Sequence, residues 1–92
     1  MQLHFSISNR NVVAQLCNEE KKIVFTKQCE VQNLCENIAN LFECVDKFLL
    51  NNEQTMPYDK QHIFFDFDKQ RNITTARIIL SFIAGLNIKS KQ

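Results

Sequence analysis

Ile63 to Ile88 reads IFFDFDKQRNITTARIILSFIAGLNI. An apolar strand breaks into a polar turn, and the turn leads into a helix. In many α/β domains this order of elements places a ligand loop. The turn here, Asp66 to Asn72, contains no glycine. A phosphate-cradling turn needs glycine so that the backbone can approach the phosphates closely. The stretch therefore has the frame of a nucleotide site without its usual chemistry. It reads as part of a non-catalytic protein that holds no cofactor.

Working outward, His62 to Phe67 is a nearly unbroken apolar run through Ile63, Phe64, Phe65 and Phe67. A strand apolar on both faces is expected at the centre of a sheet, parallel to a neighbour. Asn72 is placed as an N-cap for the helix from Thr74 to about Asn87, which Gly85 and Asn87 are expected to end. Lys89 to Gln92 reads as a polar tail. Upstream, Asn51 to Tyr58 is a loop in which Pro57 blocks helix continuation. From about Val31 to Leu49, apolar residues recur at three- and four-residue steps and form one helical stripe. Three short strands precede it, Leu3–Ser8, Val12–Cys17 and Lys22–Thr26, spaced closely enough for an antiparallel meander. The predicted order is βββαβα: an α/β lobe with a mixed sheet and two helices, forming a single domain over residues 1–92.

The bulk numbers narrow the function classes. Ninety-two residues with 45% hydrophobic and 23% charged side chains make one small globular domain. A formal net charge of +1 gives no global electrostatic case for nucleic acid or an anionic membrane. No apolar run approaches the roughly 20 residues of a membrane span. The opening MQLHFSISNR lacks the basic and long apolar regions of a signal peptide, so a cytoplasmic protein is expected. Cys17, Cys29, Cys35 and Cys44 form no C-x-x-C pair and have no histidine at zinc-finger spacing. They read as free thiols.

The second helix is unusual. On a wheel, Ala76, Ile79, Phe82, Ile83 and Leu86 make one broad apolar face, and the opposite side carries Arg77, Leu80, Ser81, Ala84 and Gly85. Apart from Arg77 that side is small or apolar, and small residues let another helix come close. Arg77, Leu80, Ser81, Ala84 and Gly85 are therefore the candidate partner interface. The competing reading is that this side packs on the first helix of the same chain.

Other groups offer less. Asp66 and Asp68 leave the end of the apolar strand, but Lys69, Gln70 and Arg71 supply no third carboxylate for a metal. Both read as solvated turn residues. His4 and His62 fall on strands. Lys60, Lys69, Arg71 and Arg77 could gather into a weak basic patch beside the turn, although scattered charges of this kind are mostly a solvated face. No metal, catalytic or cofactor-binding set emerges.

The order βββαβα is that of the first lobe of ribonuclease-H-like and actin-like ATPase folds. Within that class the C-terminal stretch resembles the bacterial TsaB (YeaZ) family, whose members carry GPGSFTGxRIG followed by a helix of the form xGxAxGLA. Laid on that pattern from Lys69 to Leu86, the chain matches it at Thr74, Arg77, Ile78, Gly85 and Leu86, and Ile73 stands for the aromatic. Glu36 to Phe42 can sit on the family's H-S-E-Q-L-L-P-x-I segment, and LHFSISNRNVVAQL resembles LAIDTATxxxSVAL with one gap. The chain departs from the family at Lys69, Arg71 and Thr75, which replace glycines, and at Ser6, which replaces the aspartate. The resemblance extends only to the first lobe.

The resemblance implies a single ribonuclease-H-like lobe and a non-catalytic scaffold subunit in biosynthesis of threonylcarbamoyladenosine in tRNA. Its partner would be a TsaD-type catalytic subunit, with a TsaE-type ATPase completing the system and tRNA engaged only indirectly. In the family the contact with TsaD runs through helices of the first lobe, which here directs attention to Arg77 as the polar anchor. The alternative is a homodimeric interaction module that uses the same face.

Overall fold

The computed structural model of the chain describes residues 1–90. Strand β1 (Gln2–Ser8) turns into β2 (Asn11–Cys17), which turns into β3 (Ile23–Glu30). A short 3-10 turn at Val31–Asn33 leads into α1 (Leu34–Asn51), followed by β4 (Ile63–Phe65) and α2 (Ile73–Ser90). The element order is the expected βββαβα, and the chain is an α/β domain with a four-stranded mixed sheet of order β3-β2-β1-β4.

The first hairpin is fixed by its turn. Asn9 and Arg10 have φ of 48° and 69°, so both central residues of the two-residue loop are left-handed. This is the twist that suits a tight hairpin, although only Asn9 is a residue that favours it. The resulting register pairs Phe5 with Ala14 and Leu3 with Leu16. Alternation then puts Leu3, Phe5, Val12, Ala14 and Leu16 on one fully buried face. His4, Ser6, Val13, Gln15 and Cys17 lie on the other, half-exposed face.

Both helices cover the buried face. Leu34, Ile38, Leu41, Phe42, Val45 and Leu49 of α1 are buried at helical spacing, and Ile79 and Ile83 of α2 join the same core. Phe42 is the hub. Its ring lies 5.9 Å from Phe5, 5.0 Å from Phe82 and edge-on to Tyr58 at 5.4 Å. Phe25 and Phe48 close the β3 side at 5.0 Å.

Several boundaries differ from expectation. β3 continues to Glu30 rather than ending near Thr26, because its polar residues pair along an edge where exposure costs little. α1 begins at Leu34, since Val31 is spent in the 3-10 turn, where its N–H donates to Arg10 O at 2.8 Å. The apolar run His62–Phe67 yields only the three-residue β4. It pairs in parallel with β1, as expected, but it lies at the edge of the sheet rather than its centre. Its two-sided apolarity has a local cause: Phe65 stacks on Phe5 at 5.6 Å on the covered face, and Phe64 stacks on His4 at 5.0 Å on the open one.

Helix α2 is also longer than expected. It runs through Gly85 and Asn87 to Ser90. Of the polar tail expected over residues 89–92, Lys89 and Ser90 belong to the helix, and residues 91–92 lie outside the described ones. Asn72 does not act as the side-chain cap. Its amide donates back to Asp68 O at 3.2 Å, while Asp68 Oδ1 accepts from Gln70 N at 2.9 Å and Arg71 N at 3.4 Å. The capping role falls to Asp68, four residues earlier, because the turn before α2 is already coiled there.

Candidate functional site: the outer face of the second helix

Helix α2 packs on the core through Ala76, Ile79 and Ile83, with Phe82 against Phe42 of α1. Its remaining face is therefore not the one turned to α1. Arg77, Leu80, Ser81 and Ala84 are exposed, Leu80 to 46%, and Gly85 is half-buried. The packing of this face on the first helix, the competing reading of the sequence, does not occur. Ile73, at the start of the same helix, is 49% exposed.

The contrast with α1 is chemical. The outer side of α1 carries Glu36, Glu43, Asp46 and Lys47, with Lys47 bridging to Glu43 at 3.2 Å one turn away. That is an ordinary solvated face. Between Ile73 and Asn87, Arg77 is the one charged residue of α2. Among the described residues Arg77 has no ion pair. A Cβ added at Gly85 would meet nothing within 4 Å among the described residues, so no contact with them requires the glycine.

A groove lies beside this face, between α2 and the outer edge of β4. It has a volume of about 640 Å³ and is lined on one side by Ile63 and Phe65 and on the other by Leu80, Ile83 and Ala84. Tyr58 and Asn87 close one end, where Asn87 Nδ2 donates to Tyr58 O at 3.0 Å. Lys60 and Lys69 also line it. The sequence reading missed the groove because it placed β4 inside the sheet. The signal was present: a meander of three strands already fills both sides of its middle strand, so a fourth can join only at an edge.

The acidic and basic groups near the turn separate rather than converge. Asp68 caps the turn and meets Arg71 Nε at 3.6 Å. Asp66 points to the open sheet face, where His4 Nδ1 lies 3.5 Å away. Lys69 sits over the Phe65 ring, 4.8 Å from its centre. His62 pairs with Asp59 at 2.7 Å, and that hydrogen bond holds the Asp59 carboxyl below the usual carboxylate range. Lys60, Lys69, Arg71 and Arg77 are thus divided among the groove, the turn and the helix face, and form no single patch. No group of three potential metal ligands gathers among the described residues.

Two further groups are tuned by burial. Tyr58 donates its phenol proton to Asp46, and burial followed by that carboxylate pushes its ionisation upward. Burial likewise raises the Cys29 thiol, which makes it a poor nucleophile. All four cysteines are free, and no helix among the described residues is long and apolar enough to cross a membrane.

Compared with protein-family models, curated proteins and solved structures, the chain matches none.

Proposed function

We propose that this chain is a non-catalytic docking subunit that engages a protein partner through the outer face of α2. The observation that carries the proposal is the composition of that face. Leu80, Ser81, Ala84 and Gly85 offer an apolar and small-residue surface, with Arg77 as its single charge. A surface helix normally carries charged residues away from its core. Small side chains allow an opposing helix to approach closely, and removal of the apolar surface from water drives the association.

The partner we propose is a TsaD-type catalytic subunit, with the chain acting as a TsaB-like scaffold in tRNA threonylcarbamoyladenosine synthesis. Two things support this narrower reading. One is the resemblance over Thr74 to Leu86, which includes Arg77 and Gly85. The other is the sheet order β3-β2-β1-β4 with β1 and β4 parallel, which suits the first lobe of a ribonuclease-H-like fold. The assignment as non-catalytic follows the resembled family, whose members serve as scaffold subunits, and the turn Asp66 to Asn72, which has no glycine with which to cradle a phosphate. A cytoplasmic setting fits the free thiols.

The test is co-expression with the TsaD-type protein of the same genome, followed by size exclusion with light scattering. A complex is expected with the wild type and lost with Ser81→Glu, which puts a charge at the centre of the face. A stable homodimer indifferent to the TsaD-type protein would replace the scaffold reading with that of a self-associating module.

A further inference from the structure

The edge of β4 is open as well as the face of α2. β4 joins β1 through His62 O, which accepts from Leu3 N at 2.7 Å, and Asp66 N, which donates to Phe5 O at 2.8 Å. In a parallel ladder, alternate residues of a strand turn their main-chain groups to opposite sides. The N–H and C=O of Phe65 therefore face outward, and no strand among the described residues lies beyond them. The side chains of Ile63 and Phe65 point to the covered side, into the groove shared with Leu80, Ile83 and Ala84. Ile63 N–H is already taken by Asp59 O at 3.0 Å, so the outward groups left open are the Ile63 C=O and the N–H and C=O of Phe65, beside an apolar groove.

From this geometry we infer that the β4 edge takes up an extended segment of a partner protein as a fifth strand. Every second side chain of that segment enters the groove, and an acidic residue meets Lys60 and Lys69. Main-chain pairing at a sheet edge, with pockets for alternate side chains, is an established mode of peptide recognition. β4 is only three residues long, so the groove supplies most of the contact and the edge sets the direction.

Charge selects the occupant. Asp59 is the one acid lining the groove, and it is engaged by His62. Lys60 and Lys69 have no carboxylate partner among the described residues. A second copy of this chain would bring the same lysines to the same place, whereas an acidic segment neutralises them. The inference extends the docking reading of α2, since Leu80 and Ala84 belong to both surfaces, but it adds a different contact.

The test is a nitrogen-15 NMR titration of the whole chain. The probe is a short peptide alternating valine or isoleucine with threonine and flanked by aspartates. The Phe65 amide should shift and become protected from exchange, and Lys60→Glu with Lys69→Glu should weaken binding about tenfold. Two N-methylated peptides decide whether pairing is through the main chain. Methyl groups on one alternate set of amides should abolish binding, and on the other set leave it intact. The sensitive set reports whether the added strand is parallel or antiparallel. No response of Phe65 at millimolar peptide, or equal behaviour of the two methylated peptides, would overturn the inference. Ser81 does not line the groove, so Ser81→Glu should leave peptide binding intact while breaking the α2-docked complex, and the two proposals can fail separately.

Discussion

Gly85→Ala gives opposite signs for two descriptions of α2. The sequence suggests that Gly85 and Asn87 end the helix, which would place glycine in the left-handed conformation common after a last turn. In the structure the helix continues through Gly85 to Ser90, and no glycine has a positive φ. An added methyl would meet nothing within 4 Å among the described residues. Alanine in a helix interior is then better than glycine by about 0.5–1 kcal/mol, because the unfolded chain loses less freedom on folding. For a domain of this size, that is a rise in Tm of roughly 3–7 °C.

Urea unfolding followed by circular dichroism measures the effect, with an unchanged m-value showing that the same surface is exposed. Had position 85 been left-handed, alanine would instead destabilise by about 1–2 kcal/mol. A fall in stability would therefore refute the continuous helix and, with it, the placement of Ser81, Ala84 and Gly85 on one docking face. Docking adds a second sign. If a partner helix approaches over Gly85, the same methyl that stabilises the free chain weakens the complex.

Phe42→Ala should destabilise the domain by about 3–5 kcal/mol in the same unfolding assay, because it empties the junction of Phe5, Tyr58 and Phe82. Arg10→Gly should stabilise it by about 1 kcal/mol by relieving a φ of 69°, and a loss of stability would show that the Arg10 side chain makes up for the strain. His62→Ala should let the Asp59 carboxyl return towards its ordinary range, as read by NMR titration. Asp59 is depressed in the folded chain, so its contribution is present above the ordinary carboxylate range and is lost as pH falls through the folded value. The variant should flatten that part of the acid limb.

Much of the fold can be read from local patterns. The stripe through Leu34, Ile38, Leu41, Phe42, Val45 and Leu49 is a clean helical period, and each of those residues is buried. The first two strands alternate, and their hairpin keeps the register. Legibility falls where a residue answers to two environments. β3 lies at an edge and slips register opposite Leu16 and Cys17, so its exposed Thr26, Lys27 and Gln28 blur the alternation. Phe64 and Phe65 look like two buried faces, yet Phe64 stacks on His4 on the open one.

The α2 face was legible for the opposite reason. A helix that carries one charge between Ile73 and Asn87 stands out without any knowledge of its neighbours. The groove was not, because it exists only once β4 and α2 are placed side by side. Asp68 could be recognised as polar turn chemistry, but its role as the cap of a turn already coiled four residues before Asn72 depends on backbone geometry.

The docking face can be tested most directly by site-specific photocrosslinking in cells of the source organism. A photoreactive residue would replace Ala84 on α2, and in a control it would replace Glu43 on the charged side of α1. The docking reading predicts a crosslink from position 84 to the TsaD-type subunit and none from position 43. Equal labelling from both positions, or no crosslink to that subunit from position 84, would contradict it.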